Sequence, residues 1–180
     1  MATCGQNDKW TNVVILIALG ANLPSQGGTP QQTLRASLAA LSQKYVRPIR
    51  VSRAFETPAW PDPADPPFVN AVAAVETARD PADLMAVLAA TEKAFGRVAA
   101  PRNAPRTLDL DLIDYEGRIE AGPPILPHPR IDARAFVLIP MRDVAPGWRH
   151  PVSGRDLDAL IAALPEADRR AVKPLGPLAG

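Results

Sequence analysis

The sequence predicts an α+β fold with a mainly antiparallel sheet, and three observations carry that reading. A continuous β-branched run stands near the start, two helix-start signals stand at Thr29-Pro30 and Asp80-Pro81, and strand patterns lie between and after them. The resulting order, β-α-β-β-α-β with helical additions at the end, matches the ferredoxin-like split βαβ sandwich, in which helices pack on one face of the sheet.

Val13 to Leu19 reads as a central strand because it is apolar throughout. Gly20-Ala21-Asn22-Leu23-Pro24 ends it, and a Gly-rich loop runs through Gly28. Thr29 then caps a helix that Pro30 opens, with Leu34, Leu38 and Leu41 forming its apolar stripe to about Tyr45. Ile49 to Phe55 reads as a second strand, Thr57 to Pro67 as a Pro-rich ordered loop, and Phe68 to Val75 as a third strand. Asp80-Pro81 starts a second helix, which Leu84 and Leu88 carry to about Phe95 and Gly96 stops. After the loop Arg97 to Thr107 comes a fourth strand ending near Tyr115. Pro123 to Arg134 is again Pro-rich, Ala135 to Val144 reads as a short apolar helix, and Asp156 to Leu164 as a last amphipathic one.

A chain of 180 residues suits one domain with its own core, here expected over residues 13–180 behind a loose polar tail at 1–12. The single Cys4 cannot form an internal disulfide. The apolar run near the start is too short to span a bilayer and follows polar residues rather than a basic leader. A cytoplasmic monomer is the expectation. A formal charge of +1 gives no general case for nucleic acid or an anionic membrane, so any positive field must be local. Of the twenty basic residues sixteen are arginines. A GC-rich coding bias accounts for their number as well as a phosphate site does, so their placement has to decide.

The chemistry concentrates in Pro105-Arg106-Thr107-Leu108-Asp109-Leu110-Asp111-Leu112. Residues i and i+2 share a face only in a strand, about 6.6 Å apart, so Asp109 and Asp111 lie together there with Leu108, Leu110 and Leu112 opposite. Adjacent like charges cost stability unless a cation or solvent relieves them. Mg²⁺ suits such a pair, since it takes one or two carboxylates and completes its shell with water and phosphates. A bare Asp-x-Asp fits a solvated strand face equally well. The chain lacks both the P-loop and the dinucleotide-binding glycine patterns. Two histidines and one tail cysteine also speak against a structural zinc site or a Cys-His nucleophile pair.

A series of short motifs in fixed order removes much of the ambiguity. They are Gly20-Ala21-Asn22-Leu23, Phe55-Glu56-Thr57-Pro58, Phe68-Val69-Asn70-Ala71, Glu92 with Gly96-Arg97, Pro105 to Asp111, Leu126-Pro127-His128-Pro129 and Arg134-Ala135-Phe136. Together they resemble the 6-hydroxymethyl-7,8-dihydropterin pyrophosphokinase family, from about Val13 to Leu164.

The resemblance implies transfer of the β,γ-pyrophosphoryl group of ATP to the pterin's hydroxymethyl oxygen, in tetrahydrofolate biosynthesis. It implies two Mg²⁺ ions on Asp109 and Asp111, with Arg97 and Arg106 also catalytic. ATP contacts are implied for Glu92, Arg97, Arg102, Arg106, Leu112, His128 and Arg134. Glu92 also fits a plain helix-end charge. For the pterin it implies an aromatic sandwich of Phe68 and Phe136, an amide partner in Asn70, and a lining of Thr57, Pro58 and Trp60. Without the resemblance the two phenylalanines read as core aromatics. The chain departs from the family pattern at Arg102-Asn103-Ala104, where Arg-Trp-Gly is usual, and at Ala99, where a further basic residue is common. Its loop is also one residue shorter than a common form. Two alternatives remain at this level: a pterin-binding protein without efficient transfer, and another Mg²⁺-dependent nucleotide enzyme on the same scaffold.

Overall fold

Every residue of the first strand, Ile15–Ala21 (β1), is buried. A strand covered on both faces needs apolar residues without alternation, and β1 occupies such a place. The computed structural model describes residues 14–26, 28–98 and 104–178, so the expected tail with Cys4 lies outside the described residues. After β1 come α1 (Pro30–Gln43), β2 (Arg47–Val51), β3 (Arg53–Thr57), β4 (Phe68–Glu76), α2 (Pro81–Ala94) and β5 (Asp109–Tyr115). A 3₁₀ turn at Ile131–Ala133, α3 (Ala135–Val144), α4 (Leu157–Ala163), α5 (Glu166–Ala171) and β6 (Lys173–Pro177) complete the chain.

The sheet order is β5-β1-β4-β3-β6, with β2 also on β4, and every pairing is antiparallel. The helix starts follow their signals. Thr29 and Gln32 form a reciprocal capping box at α1, and the Asp80 and Asp156 side chains cap α2 and α4.

Helices on one face were expected, and α1 and α2 do share one. Ile15, Ile17 and Leu19 of β1 pack there with Leu34, Leu38, Leu84 and Leu88, joined by Leu110 and Leu112 of β5. The other face is covered too: Leu16 and Ala18 pack with Val72, Ala74 and the apolar sides of α3 and α4. The physical cause is the apolar composition of α3 and α4, which must be buried somewhere. This second layer carries half of the site.

The expected strand Ile49 to Phe55 is instead two strands broken at Ser52. The Ser52 hydroxyl accepts the Val72 N–H at 2.9 Å and donates to the Arg53 carbonyl at 2.7 Å, so a side chain takes the place of one backbone acceptor while the Ser52 N–H still donates to the Val72 carbonyl. Neither α5 nor β6 was expected. The first has no buried residue, and the second, Lys-Pro-Leu-Gly-Pro, is an edge strand where proline is tolerated. No helix among the described residues is long and apolar enough to cross a membrane.

Candidate active site

Gly20 is the centre from which the site can be laid out. It pairs with Asn70 on β4 and with Asp109 on β5, so the three residues stand in a row across the sheet. Asp109 and Asn70 are then roughly 10 Å apart, two strand spacings. All three point to the face covered by α3. A Cβ on Gly20 would lie 3.1 Å from Asn70 Oδ1, 3.9 Å from the Phe68 ring and 4.0 Å from Asp109 Cβ. Glycine therefore keeps open the space between the amide and the carboxylate.

The charged half lies on β5 and around it. Asp109 and Asp111 share the α3 face as their spacing requires, and Leu108, Leu110 and Leu112 fill the opposite core. Relief of the paired charges comes here from arginine. Arg97 and Arg106 each approach Asp109 Oδ1 at 2.8 Å, and Arg134 approaches Asp111 Oδ2 at 2.6 Å. These guanidiniums reach the strand from three separate segments. A cavity of about 180 Å³ lies between Arg97 and Arg106, bounded also by Leu23, Pro105 and Thr107.

Glu92 is 7% exposed on α2 and acts as an anchor rather than an open contact. Its Oε1 accepts the Leu110 N–H at 2.7 Å and pairs with the Arg97 guanidinium. Burial pushes its carboxyl up, and the Leu110 amide and Arg97 oppose that. The other anchor is Asn22, a residue of the first motif to which sequence reasoning gave no role. Its Oδ1 accepts the Arg106 N–H at 2.7 Å, and its Nδ2 donates to the Pro66 carbonyl at 3.0 Å. Asn22 thus ties the arginine loop to the Pro-rich loop; a buried amide beside a strand end was its only signal.

His128 sits in the same charged cluster. Its backbone N–H donates to the Ile113 carbonyl at 2.8 Å, and its Nδ1 accepts the Arg130 N–H at 3.1 Å. With Nδ1 acting as acceptor, the proton sits on Nε2. Burial, followed by the Arg134 charge, lowers its pKa, so at neutral pH it offers a neutral N–H donor rather than a cation.

The neutral half lies on β3, β4 and α3. Asn70, 5% exposed, donates through Nδ2 to Thr57 Oγ1 at 2.8 Å, which fixes the amide with Oδ1 toward Gly20. Phe68 is half-buried at the start of β4. Phe136 is 37% exposed in the first turn of α3, with the Arg134 guanidinium 5.5 Å from its ring centre. That exposure on a helix otherwise packed into the core sets it apart from a core aromatic.

Four expected contacts fare differently. Leu112 is 4% exposed in the core opposite the carboxylates, so its side chain does not face Asp109 and Asp111. Trp60 is 72% exposed in the Pro-rich loop, and Pro58 is exposed and lines a separate shallow hollow with Pro63 and Pro67. Arg102, with Ala99 and Asn103, lies outside the described residues.

Among the described residues no group of three or more His, Cys, Asp or Glu is placed to hold a metal. The pair of half-exposed carboxylates nonetheless fits Mg²⁺, which draws its remaining ligands from water and phosphates.

Known proteins resemble this chain in sequence and in fold. The sequence profile of the 7,8-dihydro-6-hydroxymethylpterin-pyrophosphokinase family matches residues 16–146. A 2-amino-4-hydroxy-6-hydroxymethyldihydropteridine pyrophosphokinase of Synechocystis sp. is 34% identical over 166 residues, covering 90% of this chain and 80% of that protein. The protein of the same name from Pseudomonas aeruginosa is 40% identical over 154 residues, covering 84% and 91%. The crystal structure of wild-type Plasmodium falciparum HPPK-DHPS superposes with a TM-score of 0.62 at 14% identity, which speaks for the fold. The match covers 83% of this chain and 40% of that longer one. With its fold, ordered motifs and two extensive relatives in agreement, this chain belongs to the 7,8-dihydro-6-hydroxymethylpterin-pyrophosphokinase family.

Proposed function

We propose that this chain carries out its family's reaction with the residues gathered around Gly20. The reaction moves pyrophosphate from ATP to the hydroxymethyl group of 6-hydroxymethyl-7,8-dihydropterin, in folate biosynthesis. The hydroxymethyl oxygen bonds to the β-phosphorus, the bond between the β-phosphorus and the α-phosphate oxygen breaks, and AMP leaves. The carrying observation is the row Asp109, Gly20, Asn70, which sets a carboxylate cluster and a fixed amide on one sheet face.

Such transfers need positioning and charge neutralisation more than covalent help. The Asn70 amide holds the edge of the pterin ring, and Phe68 and Phe136 take its faces. Thr57 keeps the amide in the correct orientation. Arg97, Arg106 and Arg134 carry the charge of the phosphates, exchanging their present carboxylate partners for phosphate oxygens. His128 adds a neutral donor, and Arg102 is a further phosphate ligand. Asp109 and Asp111 would hold two Mg²⁺ ions, which when bound supply Lewis acidity at the reacting oxygens. Residues 13–180 act as one domain, in a cytoplasmic monomer that binds neither nucleic acid nor membrane.

Intact carboxylates and arginines favour transfer over mere pterin binding. The test is AMP release from ATP and Mg²⁺ with and without the hydroxymethyl pterin. AMP formed only with pterin is the expected result; ADP as product, or pterin binding without turnover, overturns the reading.

A further inference from the structure

A bulge in β5 supplies two contacts on which the Arg134 segment depends. Ile17 pairs with Leu112 and Leu16 with Asp114, so Ile113 is the extra residue. Such an insertion bends a strand and re-aims its side chains. The Ile113 carbonyl accepts the His128 N–H at 2.8 Å, and Asp114 Oδ2 accepts the Trp148 indole N–H at 2.8 Å. Trp148 is wholly buried, in the core cluster that also holds Ile131 and Ala135, the residues flanking the turn to Arg134. The Arg134 N–H itself donates to the Ile131 carbonyl at 3.1 Å.

A second contact continues from Trp148. Its ring meets His150 edge-on at 5.7 Å between centres. His150 Nδ1 accepts the Val152 and Ser153 amides, which leaves Nε2 protonated, 3.5 Å from Asp132 in the turn just before Arg134. The path therefore leaves β5 at Asp114 and returns to it where Arg134 meets Asp111.

Burying a carboxylate is costly, and Asp114 is 0% exposed; burial pushes its carboxyl up, opposed first by the Trp148 indole and then by the Tyr115 and Gly117 amides. An aliphatic residue would continue the run of Leu110, Leu112 and Ile113 without that cost. A polar side chain provides an acceptor for the indole N–H, alongside the Tyr115 and Gly117 amides that also stabilise the carboxylate locally; of these only the indole leads toward the Arg134 segment. We propose that Asp114 is a positioning residue for Arg134: by fixing Trp148 in the core cluster that holds Ile131 and Ala135, it sets where the guanidinium stands beside Asp111. The proposal rests on Arg134 being a phosphate ligand, and its test separates the two.

Asp114→Leu removes the acceptor, whereas Asp114→Asn keeps an oxygen for the indole. Calorimetry with a non-hydrolysable ATP analogue and Mg²⁺, pterin binding alone, and the KM for ATP are measured for each. Asp114→Leu is expected to weaken analogue binding and raise KM about 3- to 10-fold, the scale of one positioning hydrogen bond, with a clearly smaller change in pterin affinity, since only Phe136 of the pterin pocket lies on the same segment. Asp114→Asn stays within about twofold of the parent and keeps the Trp148 indole N–H resonance in place. Trp148→Phe breaks the same bond from the other side and gives the same shift, so the test survives if Asp114→Leu does not fold.

In an Arg134→Ala background Asp114→Leu adds nothing more. Additive losses, or equal losses of pterin and nucleotide affinity, overturn the positioning role. If Arg134→Ala weakens the analogue while Asp114→Leu does not, the proposal alone fails. If Arg134→Ala itself leaves analogue affinity unchanged, the phosphate role of Arg134 fails and the proposal loses its premise.

Discussion

The two halves of the site are held together by different physics. Around Asp109 and Asp111 the functional groups are charged apart from the neutral His128, and each arginine reaches its carboxylate from a separate segment: Arg97 after α2, Arg106 before β5, Arg134 before α3. Around Asn70 the groups are neutral and lie on the paired strands β3 and β4 and, for Phe136, on α3, with a single side-chain hydrogen bond, Asn70 to Thr57, setting the amide's orientation. The charged half stays together by compensation, so its pairs must be exchanged when phosphates arrive. The neutral half is already in place. Binding should accordingly rearrange the arginines and leave the amide still.

The sharpest break of this contrast is Asp111→Ala. It should lower kcat about 100- to 1,000-fold or more, the scale for losing one preorganised electrostatic partner, while the pterin Kd stays put. Turnover and pterin titration check it, and a parallel fall in pterin affinity would mean the halves are not separate.

Gly20→Ala attacks the boundary between them. The added Cβ stands 3.1 Å from Asn70 Oδ1 and needs the amide to give way. Overpacking of about 1–3 kcal/mol corresponds to roughly 5- to 150-fold weaker pterin binding, with the ATP-analogue Kd nearly unchanged. Calorimetry with each ligand separately reads the difference.

Glu92→Leu tests compensation directly, because it leaves the Leu110 amide without its acceptor and Arg97 with one carboxylate fewer. A loss of about 1–3 kcal/mol in urea unfolding is expected, with Glu92→Gln retaining more than half of the stability lost.

The smallest effect lies away from the site, where α3 is joined to β3. Burial pushes the Asp143 carboxyl up, but hydrogen bonds from the Arg53 guanidinium and amide, and the Arg53 charge, outweigh it and hold the pKa below its ordinary 3.8. A depressed carboxyl adds stability that is full above the unfolded value and is lost as pH falls through the folded one. Asp143→Asn should therefore flatten the stability curve below about pH 4 and leave pterin and ATP-analogue affinity near parent values. Unfolding midpoints measured across about pH 2–6 provide the check.

How much of this was legible in the chain depended on whether the signal was local. Thr29 with Gln32, Asp80-Pro81 and the i, i+2 spacing of Asp109 and Asp111 are short-range patterns, and each appears where it was expected. The motif order carried the family and placed Arg97, Arg106, His128 and Arg134 near one strand. The break at Ser52 was hidden because its cause, the Val72 amide, lies twenty residues away. The strand β6 was hidden because two prolines and a glycine suit an edge that only β3 defines. Glu92 read as a helix-end charge or an ATP contact, since nothing in the sequence announces that the Leu110 amide needs an acceptor.

The sequence by itself determined the strand that carries the carboxylates, the faces its residues take and the helices that start on either side, because periodicity and capping are fixed within a few residues. Tertiary structure alone decided that three arginines neutralise two aspartates, and that α3 closes a second face over them. It also placed Gly20 between Asn70 and Asp109. Those facts depend on which strands pair, and pairing joins residues some fifty and ninety positions apart, as Gly20 does with Asn70 and Asp109.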